Sequence, residues 1–202
     1  MTSAQVDFEP TSSLRVEVGL PAPIEVATNQ PFRDFMHGLL NLSVGYQYNF
    51  ENGLTVGAGS RYALFNVNEF RNTFSMSGTL HFAGVHGRIG YERYWGNLGV
   101  DMGIKGGYNL ELSNINFCRE ELGSAKQTYG LYVEPNISLS IVVGEDANNA
   151  FTLGNLAYTF HDMRFDPEFV CHDNFPGQDP DNYSNITSYL TFGFGYTYYF
   201  GK

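Results

Sequence analysis

The segment TSYLTFGFGYTYYF, residues 187–200, is the most informative stretch of the chain for the fold. Large residues occupy every second position, and the positions between them hold mainly Gly and Thr. Because successive side chains of a β-strand point to opposite faces, this pattern predicts a strand with one large apolar face and one small polar face. The strand is about 15 residues long, against roughly 5–6 in globular proteins and roughly 9–11 for a strand that crosses a bilayer. Its length favours a membrane.

The composition agrees with that interpretation. Charged residues make up 16% of the 202 residues, against roughly 25% in a typical soluble domain. No run of 18 apolar residues is present, so no transmembrane helix is predicted. Aromatic residues (16%) and 23 glycines, with apolar residues spread at alternate positions, suit a transmembrane barrel. The net charge of −10 argues against nucleic-acid binding, because phosphate groups would be repelled.

The alternating pattern recurs along the chain and predicts eight strands. They cover residues 12–20, 38–50, 54–67, 74–95, 98–113, 127–143, 151–164 and 186–200. Short connections (51–53, 96–97 and 144–149) alternate with mostly longer ones (21–37, 68–73, 114–126 and 165–185). This alternation predicts an all-β fold, an eight-stranded antiparallel up-and-down transmembrane β-barrel with its short turns at one end. We expect one domain over residues 1–202, with a flexible periplasmic N-terminus at 1–11 and a long extracellular loop at 165–185.

Two predicted strands change phase. Within 74–95 the apolar positions shift from Leu80 and Phe82 to Val85, and 151–164 shows a similar shift between Leu153 and Leu156. A β-bulge in each strand would restore a continuous apolar face.

Alternation alone also fits a soluble, lipocalin-like barrel with its apolar face inside. Eight strands enclose only a narrow interior, however, and nearly every apolar position is large while the opposite face is crowded with small residues. We therefore predict that the apolar face points outward into lipid. The inward charged residues are then Arg15, Glu17, Arg61, Arg88, Glu92, Asp101, Lys105, Glu111 and Glu134. Buried ions must be paired, so we expect a salt-bridged, plugged lumen without a large steady conductance.

Aromatic residues of transmembrane barrels concentrate at the two membrane interfaces. Seven aromatic residues near the short-turn ends predict a periplasmic girdle. They are Tyr46, Tyr48, Tyr94, Trp95, Tyr196, Tyr198 and Phe200.

With eight short-turned strands and a last strand that ends in an aromatic residue, the chain resembles the small outer-membrane barrels of Gram-negative bacteria. These are the OmpA-type and OmpX-type group, including Bacteroidetes outer membrane beta-barrel proteins. The resemblance implies an integral outer-membrane protein with periplasmic N- and C-termini. Its implied partners are membrane lipid including lipopolysaccharide, other outer-membrane proteins, and the barrel-assembly machinery that reads a terminal Phe, here Phe200. Gly201 and Lys202 follow that residue and depart from the pattern.

Two cysteines, Cys118 and Cys171, fall in the third and fourth long connections, on the same side of the predicted membrane. An even count in an oxidising compartment favours a disulfide. The loop 165–185 also holds five acidic residues and no Lys or Arg. Carboxylates at such spacing suit Ca²⁺, but the EF-hand pattern is absent, and a solvated acidic loop is the favoured interpretation. We predict no metal site and no cofactor.

No recognisable active site is present. None of the five histidines is followed two residues later by Ser, and the Gly-x-Ser-x-Gly, Cys-x-x-Cys and His-Glu-x-x-His motifs are absent. The predicted function is therefore a non-enzymatic structural or protein-interaction barrel. The alternatives are a lipid-modifying membrane enzyme that uses His81, His86 or His161, and the soluble ligand-binding barrel. The first residues contain no apolar segment of the kind found in export signals, so the chain is either a processed form or not exported.

Overall fold

The computed structural model describes residues 11–24, 29–68, 75–144 and 147–200. They form a closed barrel in which each strand pairs antiparallel with the next and the last pairs with the first. The strands are β1 Thr11–Pro23, β2 Met36–Asn49, β3 Leu54–Val67, β4 Gly78–Trp95, β5 Leu98–Ile115, β6 Lys126–Val143, β7 Asn149–Asp162 and β8 Ile186–Phe200. The predicted eight-stranded up-and-down barrel is confirmed. The predicted flexible N-terminus lies outside the described residues, except for Thr11, which begins β1.

The barrel has two different ends. The connections β2–β3, β4–β5 and β6–β7 are short and lie at one end, which we call the turn end. The four other connections lie at the opposite end, which we call the loop end. Strand β1 begins and strand β8 ends at the turn end, where Ser12 pairs with Phe200.

The strands are strongly staggered. A path of paired residues that starts at Thr11 and passes once through all eight strands returns to β1 at Pro21, ten residues further along. Such a stagger tilts the strands, typically by roughly 35–45° from the barrel axis, and eight strands enclose an interior narrow enough to be filled by side chains.

The large apolar residues point away from the lumen. Phe192 and Phe194 of β8 are each 56% exposed, and Ile89 of β4 is 65% exposed. The residues between them in sequence are buried inside, as Gly193 and Thr191 are in β8. The soluble-barrel alternative is therefore wrong, because a barrel with this outer wall would expose a continuous apolar belt to water.

One predicted bulge is present and the other is not. Strand β7 changes register against β8 between Thr152 and Asn155, as its pattern predicted. Strand β4 pairs with both neighbours without any register shift, so the bulge predicted in 74–95 is wrong. Leu80 and Phe82 instead point inward and are fully buried, because the lumen is apolar near the loop end.

Short helices occur in the connections, although the sequence patterns predicted none. Helix α1, Gln30–Phe35, begins after Asn29, whose side chain accepts a hydrogen bond from the Phe32 amide. Helix α2, Asn116–Leu122, ends at Gly123, whose φ of 68° suits the left-handed position after a helix. A 3₁₀ turn covers Pro180–Asn182.

Within the described residues, no helix is long and apolar enough to cross a membrane.

Candidate functional site: the closed lumen and its mouth

The lumen contains a chain of buried ion pairs, which begins near the turn end. The Asp101 carboxylate accepts hydrogen bonds from Arg15 Nη1 at 2.5 Å and from Arg88 Nη2 at 2.7 Å. Arg15 also lies 3.7 Å from Glu92 and 3.9 Å from Glu17. Each guanidinium therefore has a carboxylate within contact distance, which offsets part of the cost of removing both charges from water.

The same chain continues toward the loop end. Lys105 Nζ lies 2.6 Å from Glu17 and 3.1 Å from Glu134. Glu134 in turn contacts Arg61 at 3.1 Å. We call these eight residues the ion-pair network: Arg15, Glu17, Arg61, Arg88, Glu92, Asp101, Lys105 and Glu134. Its four cations and four anions balance, and none of its members is more than 6% exposed.

The ninth predicted member, Glu111, does not join the network. Among the described residues it has no ion pair, and its carboxylate accepts a hydrogen bond from Thr128 at 2.8 Å. Glu111 lies nearer the loop end, where its direct cross-strand neighbours are the neutral residues Phe82 and Thr128. The alternation of β5 correctly predicted that Glu111 faces the interior. Alternation does not predict where along the barrel axis a residue lies relative to the other charged residues.

Neutral side chains surround the charged groups. Arg88 donates to Gln47 at 3.1 Å and to Thr55 at 2.9 Å, and Thr159 donates to Glu134 at 2.7 Å. Glycines keep the space that these side chains need, since a Cβ at Gly103 would lie 2.7 Å from Arg88 Nη2. Two cavities beside the network measure about 20 Å³ and 10 Å³, each close to the space of one water molecule.

Two tyrosines close the network at the turn end. Tyr199 Oη and Tyr94 Oη both donate to Glu92, at 2.5 Å and 2.8 Å. Tyr94 therefore points into the barrel, and its predicted place in the interfacial girdle is wrong, because it shares the inward face of β4 with Glu92. The other six predicted aromatic residues face outward, with exposures between 37% and 57%: Tyr46, Tyr48, Trp95, Tyr196, Tyr198 and Phe200.

A layer of aromatic side chains separates the network from the loop end. The Arg61 guanidinium lies 4.3 Å from the ring centre of Tyr132, and it also donates a hydrogen bond to Tyr189. His161 stacks on both tyrosines, at 5.6 Å and 5.7 Å, and lies 4.5 Å from the ring of Phe82. This aromatic layer therefore contacts the charged Arg61 on one side and the apolar Phe82 on the other.

Above this layer the mouth of the barrel is filled by an apolar cluster, which we call the apolar plug. Phe165 is its centre, 5.6 Å from the Phe32 ring and 5.7 Å from the rings of Phe169 and Phe175. The plug combines strand ends with three of the long connections. Its members are Phe32, Phe35, Met36, Ala63, Phe65, Val67, Met76, Leu80, Phe82, Ile115, Met163, Phe165, Phe169, Val170, Phe175 and Tyr189.

The plug is tied together by covalent and polar links. The predicted disulfide between Cys118 and Cys171 is confirmed, and it joins α2 to the β7–β8 connection. Lys126 Nζ donates to the Glu168 carbonyl at 2.6 Å, and Asn29 Nδ2 donates to the Ser184 carbonyl at 2.9 Å. The long connections therefore form a folded cap over the barrel mouth.

Acidic side chains cover the outer surface of this cap. Glu168, Asp173, Asp179 and Asp181 are exposed, and Asp166 is half-buried beside Arg164 at 3.1 Å. Burial, together with Asp166 and Asp179, raises the pKa of Tyr183 above its usual value. No group of three or more His, Cys, Asp or Glu in the described part of the chain is arranged to hold a metal ion.

The three histidines considered for catalysis lie in different environments. His86 and His161 face the lumen and are 6% and 0% exposed, away from any lipid. His81 lies on the outer wall near the loop end, where it contacts the hydroxyls of Tyr62 at 2.6 Å and Thr79 at 2.9 Å.

The plug is the main feature that strand alternation failed to predict. Two signals for it exist in the sequence. The β3 segment RYALFNV, residues 61–67, is apolar on both faces near the loop end, and the phase change at Leu80 and Phe82 occurs at the same level. A strand end that is apolar on both faces indicates packing inside the barrel as well as lipid outside it.

The closed antiparallel barrel, its stagger and its outward apolar wall define the class of fold: that of the small eight-stranded outer-membrane β-barrels. Among solved structures, Ail, the attachment invasion locus protein of Yersinia pestis, solved with the heparin analogue sucrose octasulfate, matches with a TM-score of 0.52 and 12% identity, over 96% of this chain and 100% of that one. Neisserial surface protein A matches with a TM-score of 0.55 and 9% identity, over 93% and 96%. At this identity the similarity is one of fold. No protein-family model matches the chain, and no curated protein matches its sequence.

Proposed function

We propose that this chain is a non-enzymatic integral outer-membrane barrel with a sealed lumen, which acts as a structural or protein-interaction component through its loop end or its outer wall. The observation that carries the proposal is the double closure of the lumen. The ion-pair network fills the half near the turn end, and the apolar plug fills the mouth. A barrel closed in both ways is built for a surface role rather than for passage of solutes.

The charge balance of the network supports a sealed lumen. An ion path needs carboxylates or cations that are free to exchange partners with the passing ion. Here Asp101 is held by two arginines and Glu134 by Arg61 and Lys105. Releasing one partner would leave a buried charge uncompensated, which costs several kcal/mol.

The orientation follows from the two ends. In outer-membrane barrels the short turns face the periplasm and the long loops face the outside. We therefore assign both termini to the periplasm, and the acidic, disulfide-linked cap to the cell exterior. Membrane lipid including lipopolysaccharide surrounds the wall, the barrel-assembly machinery inserts the chain, and the cap is the part available to other outer-membrane proteins.

Conductance in a planar lipid bilayer tests the sealed lumen. We expect reconstituted protein to give no steady open-pore current, because buried ion pairs and the apolar plug occupy the lumen. A reproducible ohmic current through the wild-type barrel would contradict the proposal.

Replacement of residues 165–185 by a short Gly-Ser turn tests the role of the cap. We expect the shortened chain to insert in the outer membrane and to lose the cross-linked complexes that the wild type forms on whole cells. Retention of those complexes would assign the interaction to the outer wall, and their absence in the wild type would contradict an interaction role.

A further inference from the structure

An outward groove crosses three neighbouring strands in the wall of the barrel. Its floor consists of Ala58 of β3, Gly87 of β4 and Gly106 of β5, which are directly paired across the strands. Larger side chains border this floor, among them Val85, 64% exposed, and Leu131, 60% exposed. The groove is a shallow depression that is open toward the surroundings of the barrel rather than an enclosed cavity.

The backbone does not require the two glycines of the groove floor. A Cβ at Gly87 would meet only the Gly57 carbonyl oxygen, and one at Gly106 only the Tyr132 carbonyl oxygen, each at 4.0 Å. Neither glycine has a left-handed φ. Side chains would therefore fit at both positions, and the effect of having none is to keep the groove open.

A polar cluster lies on the same three strands, nearer the loop end. The Tyr62 hydroxyl lies 2.6 Å from His81 Nδ1, and His81 Nε2 lies 2.9 Å from Thr79 Oγ1. Asn66 and Asn114 are the direct cross-strand neighbours of Thr79 on the outer face. When Tyr62 donates to Nδ1, Nε2 donates to Thr79, and the Thr79 hydroxyl hydrogen is then available to an outside acceptor.

The distance between cluster and groove matches one leaflet of a bilayer. From Thr79, which carries the available hydroxyl hydrogen, to Val85 at the near border of the groove, strand β4 advances six residues, or about 20 Å at 3.3–3.4 Å per residue. At a strand tilt of 35–45° this corresponds to about 15 Å along the barrel axis, half of a hydrocarbon core roughly 30 Å thick. A molecule that binds both features must therefore be polar at one end and apolar over about the depth of one leaflet.

We propose that this face of β3, β4 and β5 is a binding site for one acylated lipid of the leaflet at the loop end. An ester or amide carbonyl of the lipid accepts a hydrogen bond from Thr79, and one acyl chain descends past Ser60 into the groove over Ala58, Gly87 and Gly106. The small side chain of Ser60, paired with the protruding Val85, leaves this route open. The site rests on the proposed function in one respect only, namely that the barrel spans the membrane.

Photo-crosslinking of the full chain in phosphatidylcholine vesicles tests the site. The probe is a phosphatidylethanolamine with a diazirine on one ester-linked acyl chain, and labelled peptides are mapped by mass spectrometry. We expect several-fold more label on β3, β4 and β5 than on β1 and β8. Gly87→Leu and Gly106→Leu should reduce that excess to the level of the other strands, because they fill the groove. Val18→Leu, a lipid-facing change on β1, is the matched control and should leave it unchanged.

The polar end has its own test. Thr79→Val and Tyr62→Phe keep the side-chain shapes but remove hydroxyls, and we expect each to weaken labelling in the groove. An ether-linked probe, which lacks the acyl carbonyl, should label the wild-type groove less than the ester-linked probe. Equal labelling by the two probes would overturn the carbonyl contact.

The remaining outcomes distinguish a failure of the lipid-site proposal from a failure of the proposal that the barrel spans the membrane. Even labelling around the whole wall, or labelling unchanged by Gly87→Leu and Gly106→Leu, would overturn the lipid site while leaving the barrel in the membrane. Exclusion of the probe by a stable dimer through this face would replace the lipid by a second copy and also overturn the proposal. Absence of labelling on every strand would overturn the membrane position, and the site with it.

Discussion

At the scale of single residues, Asp101 is a carboxylate of the ion-pair network that is shared by two arginines. It is 0% exposed, and it receives Arg15 at 2.5 Å and Arg88 at 2.7 Å. Ser138 also donates to it, at 3.4 Å. Two buried cations therefore share this one carboxylate.

Asp101→Ala should destabilise the barrel by about 3–5 kcal/mol, because it leaves the buried Arg88 without its carboxylate and removes the shortest ion pair of Arg15. Ser138→Ala is the matched control, since it removes a neutral donor to the same carboxylate and should cost about 1 kcal/mol or less. Urea unfolding of the refolded protein in lipid vesicles measures both changes. Equal effects of the two substitutions would show that the charges of Arg15 and Arg88 do not depend on Asp101.

Gly106 and Gly107 are adjacent in β5 but face opposite sides of the barrel wall. A Cβ at Gly107, which faces the lumen, would lie 2.0 Å from the Val85 carbonyl oxygen, whereas a Cβ at Gly106 would meet nothing closer than 4.0 Å. The lumen side therefore leaves no room for a side chain at Gly107, whereas the outer side leaves room for one at Gly106.

Gly107→Ala should destabilise the protein by about 1–3 kcal/mol, because the backbone of β4 must shift to admit the methyl group. Gly106→Ala should be neutral or stabilising by up to about 1 kcal/mol, since alanine restricts the unfolded chain. The free energies of unfolding of the two variants provide the comparison. A loss of stability in Gly106→Ala as large as that in Gly107→Ala would contradict the assignment of faces.

At the scale of elements, the long connections behave as one folded unit. Helix α1 and the β7–β8 connection contribute residues to the apolar plug, and Phe117 of helix α2 packs against it. The Cys118–Cys171 disulfide joins α2 to the β7–β8 connection. The strands below do not need this bridge, because their hydrogen-bonded ladder is closed without it.

Removal of the disulfide by a Cys118→Ser, Cys171→Ser double substitution should loosen the cap and leave the barrel intact. Trypsin is then expected to cleave faster after Arg119 and Arg164, both exposed residues of the cap region. The eight strands should stay protected, because their amides are paired around the whole barrel. Reduced wild-type protein should behave in the same way. Unchanged cleavage at both arginines would mean that the apolar plug holds the cap without the bridge.

At the scale of the whole molecule, closure of the sheet is the source of stability in lipid. Strand β8 pairs with β1 from Phe200–Ser12 to Tyr189–Pro23, so no strand edge is left open. The apolar wall and the neutral ion-pair network place polar groups inside and apolar groups against the acyl chains.

Electrophoresis in SDS tests this closure. Unheated protein from the membrane fraction should migrate differently from heated protein, because a closed barrel resists SDS until it is boiled. A variant with Pro at Thr197, inside β8, should lose the shift, since proline removes a backbone donor and disturbs the pairing that closes the barrel. Identical mobility of heated and unheated wild type would contradict the lipid-facing barrel.

Alternation along each strand predicted the number of strands and separated an apolar face from a charged one. The alternating lengths of the connections predicted the antiparallel order, and the size of the side chains on the two faces predicted that the apolar face points outward. All three patterns are local and can be read from contiguous sequence. The pairing of Arg15 with Asp101, 86 residues away, depends instead on the stagger of the closed barrel. Leu80, Phe82 and Tyr94 share one face of β4 with Glu92, so plain alternation places them inside, and their prediction failed because large apolar residues were assigned to lipid. The isolation of Glu111 and the apolar plug arise only when distant strands and connections meet, because height in the lumen is set by register rather than by the alternation of any one strand.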